Sequence, residues 1–221
     1  MTLNTIFDRL WVDYIMQNPS AGKIHDLFIN EGESVVNDHI AFRTLDFPEI
    51  DMDVLAWPFV SKGYVAKGEY NFKEKHLFAK HFELDEVDLA PRIFISQLSE
   101  ESEYAAWFYV FGFRANHFTV SINALKKYND IHRVNDLLTK NGFVLNTSGG
   151  EIKGTPADLV QQSSTLADSV NVKFIEGSFE VPCCYYEFAQ RFPDSEGHLY
   201  NGFVAKSADR IFESTDFNRK K

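Results

Sequence analysis

The sequence predicts an α+β fold in which a small unit of one strand, one helix and further strands occurs twice. Apolar residues recur at three- and four-residue steps in some segments and at every second residue in others, which indicates both helices and half-buried strands. Two landmarks also repeat at nearly one offset. His39 and His117 each begin an alternating strand and are 78 residues apart, and Gly63 and Gly142 are 79 apart. Such a repeated offset is typical of a duplicated module.

The length of 221 residues admits one large domain or two fused small ones. Because each copy of the unit is small, we expect a single domain over 1–221 in which two packed copies share one core. N-terminal helices at 1–34 precede a first module at 35–100 and a second module at 114–215. A hydrophobic fraction of 44% is enough for a substantial core and excludes a disordered chain.

The charge balance excludes two classes of partner. The chain has 22 basic and 32 acidic residues, a formal net charge of −10. Nucleic-acid binding needs a basic footprint, and membrane-surface helices are rich in Lys and Arg, so we expect neither partner.

The apolar run at 107–113 is far too short to span a bilayer. Cys183 and Cys184 are adjacent and cannot form a disulfide framework, and the first residues lack the apolar stretch of a signal peptide, so we expect a cytoplasmic protein.

The first thirty residues are expected to form helices. Ile6, Leu10 and Tyr14 belong to an apolar stripe with helical spacing. The segment 18–20, which contains a proline, interrupts this stripe, and Gly32 ends the helical region after a second apolar stripe.

In the first module, residues 38–45 alternate as a strand. His39 and Arg43 share one face with Ala41, whereas Phe42 lies on the other face with Ile40 and Thr44. A helix is expected at 51–62, and a strand is expected to begin at 63–65. Further strands are expected at 69–73, 76–82 and 91–98.

The second module follows the same order. A strand is predicted at 116–122, a helix at 129–141, and a strand beginning at 142–144. An insertion follows, and its segment 155–158 has the pattern of a capped helix start with proline in the first turn. The polar cluster 163–165 is typical of a turn or a helix cap. A strand is expected at 182–192, further short elements at 202–204 and 208–213, and a frayed tail at 218–221.

The two strand-initial histidines are the sharpest chemical feature. A lone histidine on a strand is more often structural than a ligand, but equivalent positions in packed copies bring two imidazoles into one cavity. Glu187 is the best third ligand, since it lies in an otherwise apolar and aromatic strand where an unpaired carboxylate is costly. A salt bridge from Glu187 to Arg43, Arg92 or Arg191 is an equally good interpretation.

Two histidines and one carboxylate form the facial triad of non-haem Fe(II) oxygenases, which leaves coordination positions open. Arg43 shares a strand face with His39 and is placed to bind a carboxylate bidentately, although it could instead pair with a surface acid. Phe42, Phe118 and Tyr185 are candidates to exclude water from the cavity. The remaining histidines, His76 and His81 among them, are expected to be of less interest.

Several motifs together resemble one known family. Its matching segments are residues 38–44, 116–120, 152–156, 162–168, 186–191, and the closing 202–204 and 207–209. The resemblance covers about residues 37–215 and is to the family once classified as a domain of unknown function, DUF1338. Characterised members of this family are 2-oxoadipate dioxygenase/decarboxylases, also called hydroxyglutarate synthases.

The resemblance implies a vicinal-oxygen-chelate-like fold, in which two βαβββ modules form a curved mixed sheet around a metal cavity. It implies an Fe(II) centre held by His39, His117 and Glu187, with Zn²⁺ or another divalent metal as a substitute in purified protein. Arg43 would bind the substrate carboxylate as a catalytic residue, and Ser207 in the closing motif would also bind substrate.

The expected substrates are a small 2-oxo acid and O₂. Members of the family convert 2-oxoadipate and O₂ into 2-hydroxyglutarate and CO₂ in lysine catabolism. This chain is shorter than the characterised members, which leaves its chain-length selectivity open. A metal-dependent hydrolase or lyase on the same scaffold and a non-catalytic small-molecule-binding protein are the alternatives.

Overall fold

A seven-stranded mixed sheet carries the fold of this computed structural model, which describes residues 1–85 and 90–203. The helices are α1 (Leu3–Gln17), α2 (Pro19–Asn30), α3 (Met52–Val60), α4 (Ala105–Phe111) and α5 (Ile131–Lys140). The strands of the first half are β1 (Asn37–Leu45), β2 (Val65–Phe72), β3 (Leu77–Glu83) and β4 (Arg92–Leu98). Those of the second half are β5 (Ala115–Ser121), β6 (Val160–Ser164), β7 (Ser169–Phe174), β8 (Gly177–Pro182) and β9 (Tyr185–Arg191).

The strand order shows the duplication directly. The sheet runs β2-β3-β4-β1-β5-β9-β6, so the first strands of the two modules, β1 and β5, pair antiparallel at its centre. On each side the central strand pairs in parallel with the last strand of its own module, β4 or β9. The next strand outward, β3 or β6, is antiparallel. This symmetry confirms the predicted two-module fold, whereas the exact module and domain boundaries stay a prediction.

The strand predicted to begin at 142–144 is wrong. Gly142 has a φ of 82° and lies in the turn that ends α5, and Val144 is 64% exposed. Only Leu145 forms an isolated bridge, to Thr165, before the chain turns again through two glycines of positive φ at 149–150. The second strand of this module is therefore reduced to a single bridge, because turns on both sides leave no length for a ladder.

Three other elements differ from the sequence expectation. The two strand segments predicted at 63–65 and 69–73 belong to one strand, β2, and a 3₁₀ turn follows it. Residues 163–165, expected as a turn or cap, are buried, with 163 and 164 in β6. The separate β7–β8 hairpin was not predicted at all. The capped start at 155–158 is confirmed as a 3₁₀ turn with a capping box.

Helices cover the outer face of the sheet. The ring centroid of Phe118 on β5 lies 4.8 Å from that of Tyr14 on α1, and Phe42 on β1 lies 5.6 Å from Phe59 on α3. Phe42 and Phe118, which were expected to line the cavity, therefore pack beneath helices, as strand alternation requires. The inner face carries the buried polar residues His39, His117 and Glu187, and Phe203 packs against it. None of the described helices is long and apolar enough to cross a membrane.

Candidate metal centre

The three predicted ligands lie together on the inner face of the sheet. His39 is on β1, His117 on β5 and Glu187 on β9, and all three are buried. Their ligand atoms lie within 4.8 Å of one another. The Nε2 atoms of His39 and His117 are 3.3 Å apart, and the Glu187 carboxylate oxygens lie 3.5 Å and 3.4 Å from them. The site therefore spans the junction of the two modules.

A β-bulge precedes each histidine. The β1–β5 register shifts between Asn37 and His39, and again on β5 before His117, so Asp38 and Asn116 are the extra residues. A bulge interrupts the strict alternation of faces, which lets two consecutive side chains point the same way. Asp38 and Asn116 accordingly face the imidazole that follows each of them.

These neighbours fix the orientation of the imidazoles. Asp38 Oδ1 lies 2.9 Å from His39 Nδ1, and Asn116 Oδ1 lies 3.1 Å from His117 Nδ1. A carboxylate and an amide oxygen only accept hydrogen bonds, so each Nδ1 carries the proton and each Nε2 presents a lone pair. Metal-binding histidines are typically held in this way by a second group.

The pKa shifts favour neutral imidazoles. Burial lowers the pKa of His39, although Asp38 opposes the shift. Burial, together with the charges of His39 and Arg43, lowers the pKa of His117 well below its usual range. Two lone pairs and the Glu187 carboxyl then face one another. This donor set suits a divalent cation between the three groups, and such a cation would displace the proton that Glu187 carries at neutral pH.

Glu187 is held as a ligand rather than as an ion-pair partner of arginine. Burial raises the pKa of Glu187 to about 8, although the Gln162 amide, which donates to Oε1 at 2.6 Å, acts in the opposite direction. Among the described residues its carboxyl oxygens lie 3.5 Å and 3.4 Å from the neutral imidazoles of His39 and His117, and it forms no salt bridge with an arginine there. The alternative of a salt bridge to an arginine is therefore not what this part of the chain shows.

Two of those arginines hold Asp38 instead. Arg191 donates to both Asp38 oxygens, at 2.6 Å and 2.8 Å, and Arg92 lies 3.6 Å away. Burial disfavours the ionised form of Asp38, but the charge and hydrogen bonds of Arg191 outweigh it and keep its pKa well below the usual range. The carboxylate behind His39 therefore stays ionised.

Arg43 lies further along β1 and is buried. Its guanidinium carbon lies 5.3 Å from the ring centroid of Tyr104 and 5.1 Å from that of Trp107, at the start of α4. The helix that links the two modules thus provides aromatic walls for this cation. The charge of Arg43 helps to lower the pKa of His117, and the predicted role of Arg43 in binding substrate stays a prediction. Ser207 lies outside the described residues.

Two neighbours of the site, His81 and Phe203, were missed from the sequence. His81 is buried, with Nδ1 2.9 Å from the Tyr70 hydroxyl and Nε2 2.9 Å from Glu83. Phe203 packs its ring 4.8 Å from that of His39 and 5.3 Å from that of His81. The sequence around Phe203 contains no pattern that predicts its place in the site, because this segment reaches the site only through tertiary contacts. The alternating apolar residues of 77–83 could have placed His81 on the inner face.

Comparisons with known proteins agree with this geometry. The family model of 2-oxoadipate dioxygenase/decarboxylase matches residues 95–194. A chloroplastic 2-oxoadipate dioxygenase/decarboxylase of Arabidopsis thaliana is 31% identical and covers 96% of this chain and 76% of its own length.

Solved structures give the same result. Hydroxyglutarate synthase from Oryza sativa, in complex with 2-oxoadipate, superposes with a TM-score of 0.91 at 30% identity, covering 97% of this chain and 92% of that one. A protein of Shewanella frigidimarina named as a hydrolase gives 0.87 at 43% identity, covering 92% and 98%. A Ralstonia eutropha protein named for the glyoxalase superfamily gives 0.74 at 16% identity, covering 89% and 83%, and supports the vicinal-oxygen-chelate-like fold alone.

Proposed function

The chain belongs to the 2-oxoadipate dioxygenase/decarboxylase family, and from this membership we propose that it is a metal-dependent enzyme that oxidises and decarboxylates a 2-oxo acid. We propose 2-oxoadipate and O₂ as substrates and 2-hydroxyglutarate and CO₂ as products. The five-carbon hydroxy acid and CO₂ together contain all the atoms of the substrate and O₂, so no further reductant is needed. The observation that carries the proposal is the convergence of His39, His117 and Glu187 at the module junction.

We propose Fe(II) as the resident metal, because two histidines and one carboxylate leave open positions for substrate and O₂. When bound, the metal would supply a template for the 2-oxo acid and a source of electrons for O₂. The family relationship and the donor set support iron, and Zn²⁺ or another divalent ion would fit the same three residues. Roles in lysine catabolism and in the cytoplasm stay predictions.

The residues of this chain would orient the substrate and keep water out. Asp38 and Asn116 hold the imidazoles with their lone pairs directed into the site. Arg43 would bind a substrate carboxylate and thereby fix which carbon faces the metal. Phe203 and the ring of Tyr185, which stacks on His117 at 4.7 Å, cover the imidazoles from two sides.

The test is oxygen uptake by protein loaded with Fe(II) under anaerobic conditions and then mixed with 2-oxoadipate and O₂. We expect equal amounts of O₂ consumed, CO₂ released and 2-hydroxyglutarate formed. Metal-loaded protein that consumes no O₂ with any of a panel of 2-oxo acids would overturn the proposal. Binding of the acid without turnover would then indicate a non-catalytic binding protein.

A metal-dependent hydrolase is the second candidate, and the name of the Shewanella frigidimarina relative favours it. In that case the metal would activate water at the same three residues. The two candidates differ in their need for oxygen, since a hydrolase turns over its substrate under nitrogen whereas the proposed dioxygenase does not.

A further inference from the structure

Residues 200–203, here called the covering segment, lie against the candidate metal centre. Phe203 in this segment is buried, and its ring stands edge-on to the His39 imidazole, with an interplanar angle of 89° and 4.8 Å between the centroids. The four residues form neither helix nor strand. Because the covering segment has no ladder of backbone hydrogen bonds, side chains from other elements must hold the Phe203 ring on the imidazole.

Arg191 on β9 holds the covering segment by its backbone. Its terminal nitrogen Nη1 donates to the carbonyl oxygens of Tyr200 and Gly202, both at 2.8 Å. The guanidinium carbon also lies 5.3 Å from the centroid of the Phe203 ring. Two carbonyls on either side of one residue are thereby fixed, and so is the path of the chain that leads to Phe203.

The other two nitrogens of the same guanidinium bind Asp38. Nε and Nη2 donate to the two carboxylate oxygens at 2.6 Å and 2.8 Å, and Asp38 accepts in turn from His39 Nδ1 at 2.9 Å. Arg191 is itself buried, and all three of its nitrogens are engaged. A guanidinium is planar and holds its donors in a fixed fork. The carboxylate that orients His39 and the covering segment that packs on His39 are therefore held in one geometry by one side chain.

Two other side chains hold the covering segment. Arg92 lies 3.6 Å from Asp38 and donates to the side chain of Asn201, so it repeats the link made by Arg191 with fewer contacts. The hydroxyl of Tyr70, on the edge strand β2, accepts from the Phe203 backbone N–H at 3.1 Å. Because Tyr70 bonds to Phe203 and His81 rather than to Asp38, it holds the segment without linking it to the orientation of His39.

We propose that Arg191 is a positioning residue that couples the covering segment to the metal centre, so that metal binding at His39 and packing of Phe203 on its imidazole stabilise each other. This inference rests on the metal centre of the proposed function but not on the reaction. A metal that fixes His39 also fixes Asp38 and, through Arg191, the carbonyls of the covering segment. The coupling is reciprocal, so release of the segment lowers the metal affinity by the factor by which metal binding strengthens its docking.

Amide hydrogen exchange at Phe203, followed by NMR with and without Zn²⁺, tests the coupling in the wild-type protein. This N–H is bonded while the covering segment is docked, so its protection from exchange reports on docking. We expect Zn²⁺ to raise the protection about fivefold or more, the lower end of typical coupling between sites. The control is the amide of Tyr128, which donates to the Glu33 side chain, also at 3.1 Å, and should not respond. Unchanged protection at Phe203, or an equal rise at Tyr128, would overturn the inference.

Arg191→Lys tests whether this side chain carries the coupling. Lysine keeps the positive charge, but its single ammonium group cannot hold Asp38 and two carbonyls in the fixed fork. We expect the metal affinity, measured by competition with a chelator, to fall about 10- to 100-fold, and the effect of Zn²⁺ on Phe203 exchange to disappear. Tyr70→Phe is the matched variant, because it removes one hold on the covering segment and leaves Asp38 bonded to Arg191. Its metal affinity should stay close to that of the wild type.

Equal losses of metal affinity in Arg191→Lys and Tyr70→Phe would contradict the inference, because any loosening of the covering segment would then act like the loss of Arg191. An Arg191→Lys protein that keeps the effect of Zn²⁺ on Phe203 would also contradict it. If Arg191→Lys does not fold, the exchange measurement on the wild type decides. If Zn²⁺ protects Phe203 but Fe(II)-loaded protein consumes no O₂, the proposed function fails and this inference stands. If the wild type turns over and Phe203 does not respond to Zn²⁺, the reverse holds.

Discussion

At the scale of single residues, the two positions before the histidines matter as much as the histidines themselves. Asp38 and Asn116 are each the extra residue of a β-bulge, and each accepts a hydrogen bond from Nδ1–H of the histidine that follows it. The two accepted hydrogen bonds differ in strength, because Asp38 is an ionised carboxylate held by Arg191 whereas Asn116 is a neutral amide. We therefore expect His39 to be the more strongly oriented of the two imidazoles.

The role of Asn116 can be tested by substitution. Asn116→Leu removes the acceptor for His117 Nδ1, so we expect the metal affinity to fall by about 10- to 100-fold, the usual cost of losing such a support. Asn116→Asp retains an acceptor and should bind metal at least as tightly as the wild type. The measurement is a competitive titration with a metal chelator. Equal affinity for Asn116→Leu and the wild type would show that the amide does not orient the ligand.

Metal uptake should also depend on pH through Glu187. Burial raises the pKa of this carboxyl to about 8 in the metal-free protein, so it carries a proton at neutral pH. A metal must displace that proton, and the apparent affinity should therefore rise as the pH increases toward 8 and level off above it. The check is calorimetry in buffers of different ionisation enthalpy, with about one proton released per metal at pH 7. A flat affinity between pH 6 and pH 8 would contradict this assignment.

The sequence predicted which residues form the candidate site, but not which side chains surround them. His39, His117, Glu187 and Arg43 could be found because repetition and an apolar context distinguish them. Tyr185 was identified as a lining residue, but which group its hydroxyl faces depends on the register between β5 and β9. That register is set by tertiary packing and is not visible in a local pattern.

At the scale of elements, most helices and strands of the two modules were predicted, and the failures have physical reasons. The strand expected at 142–144 does not form, because a turn flanks this segment on each side. The β7–β8 hairpin was missed although its residues alternate, since most of them are exposed and give no apolar face to detect. Pattern reasoning finds elements that bury one face against the core and overlooks those that do not.

A close approach on β2 gives a test at this scale. A Cβ atom at Gly68 would lie 2.7 Å from the His81 ring and 2.9 Å from the Tyr70 hydroxyl, which already bond to each other. We expect Gly68→Ala to destabilise the protein by about 1–3 kcal/mol, because the buried ring must move. The measurement is the free energy of unfolding in urea.

The matched control is Gly22→Ala in the interior of α2. There a Cβ atom would meet only Ile15, at an ordinary 3.8 Å. Alanine lowers the entropy of the unfolded chain and favours the helix, so we expect a gain of about 0.5–1 kcal/mol. Opposite signs for the two substitutions support the described packing of β2 against His81, and a neutral Gly68→Ala would contradict it.

At the scale of the whole molecule, duplication explains where the site lies. Each module contributes one histidine from its first strand, and the antiparallel pairing of β1 with β5 brings the two histidines together. The second module adds the carboxylate. The net charge of −10 predicted the absence of nucleic-acid partners but said nothing of this interior, where Arg92 and Arg191 lie against Asp38 and Arg43 is buried further along β1. Local charge is thus set by the fold and can oppose the charge of the surface.

The central claim is that both modules are needed to hold one divalent metal per chain. The most direct measurement is the metal content after anaerobic loading with Fe(II) of the wild type, of His39→Ala and of His117→Ala. His198→Ala, at an exposed position, is the control. We predict about one metal per chain in the wild type and the control, and a large loss in each of the other two variants. Full metal content in either His39→Ala or His117→Ala would contradict a centre shared between the two modules.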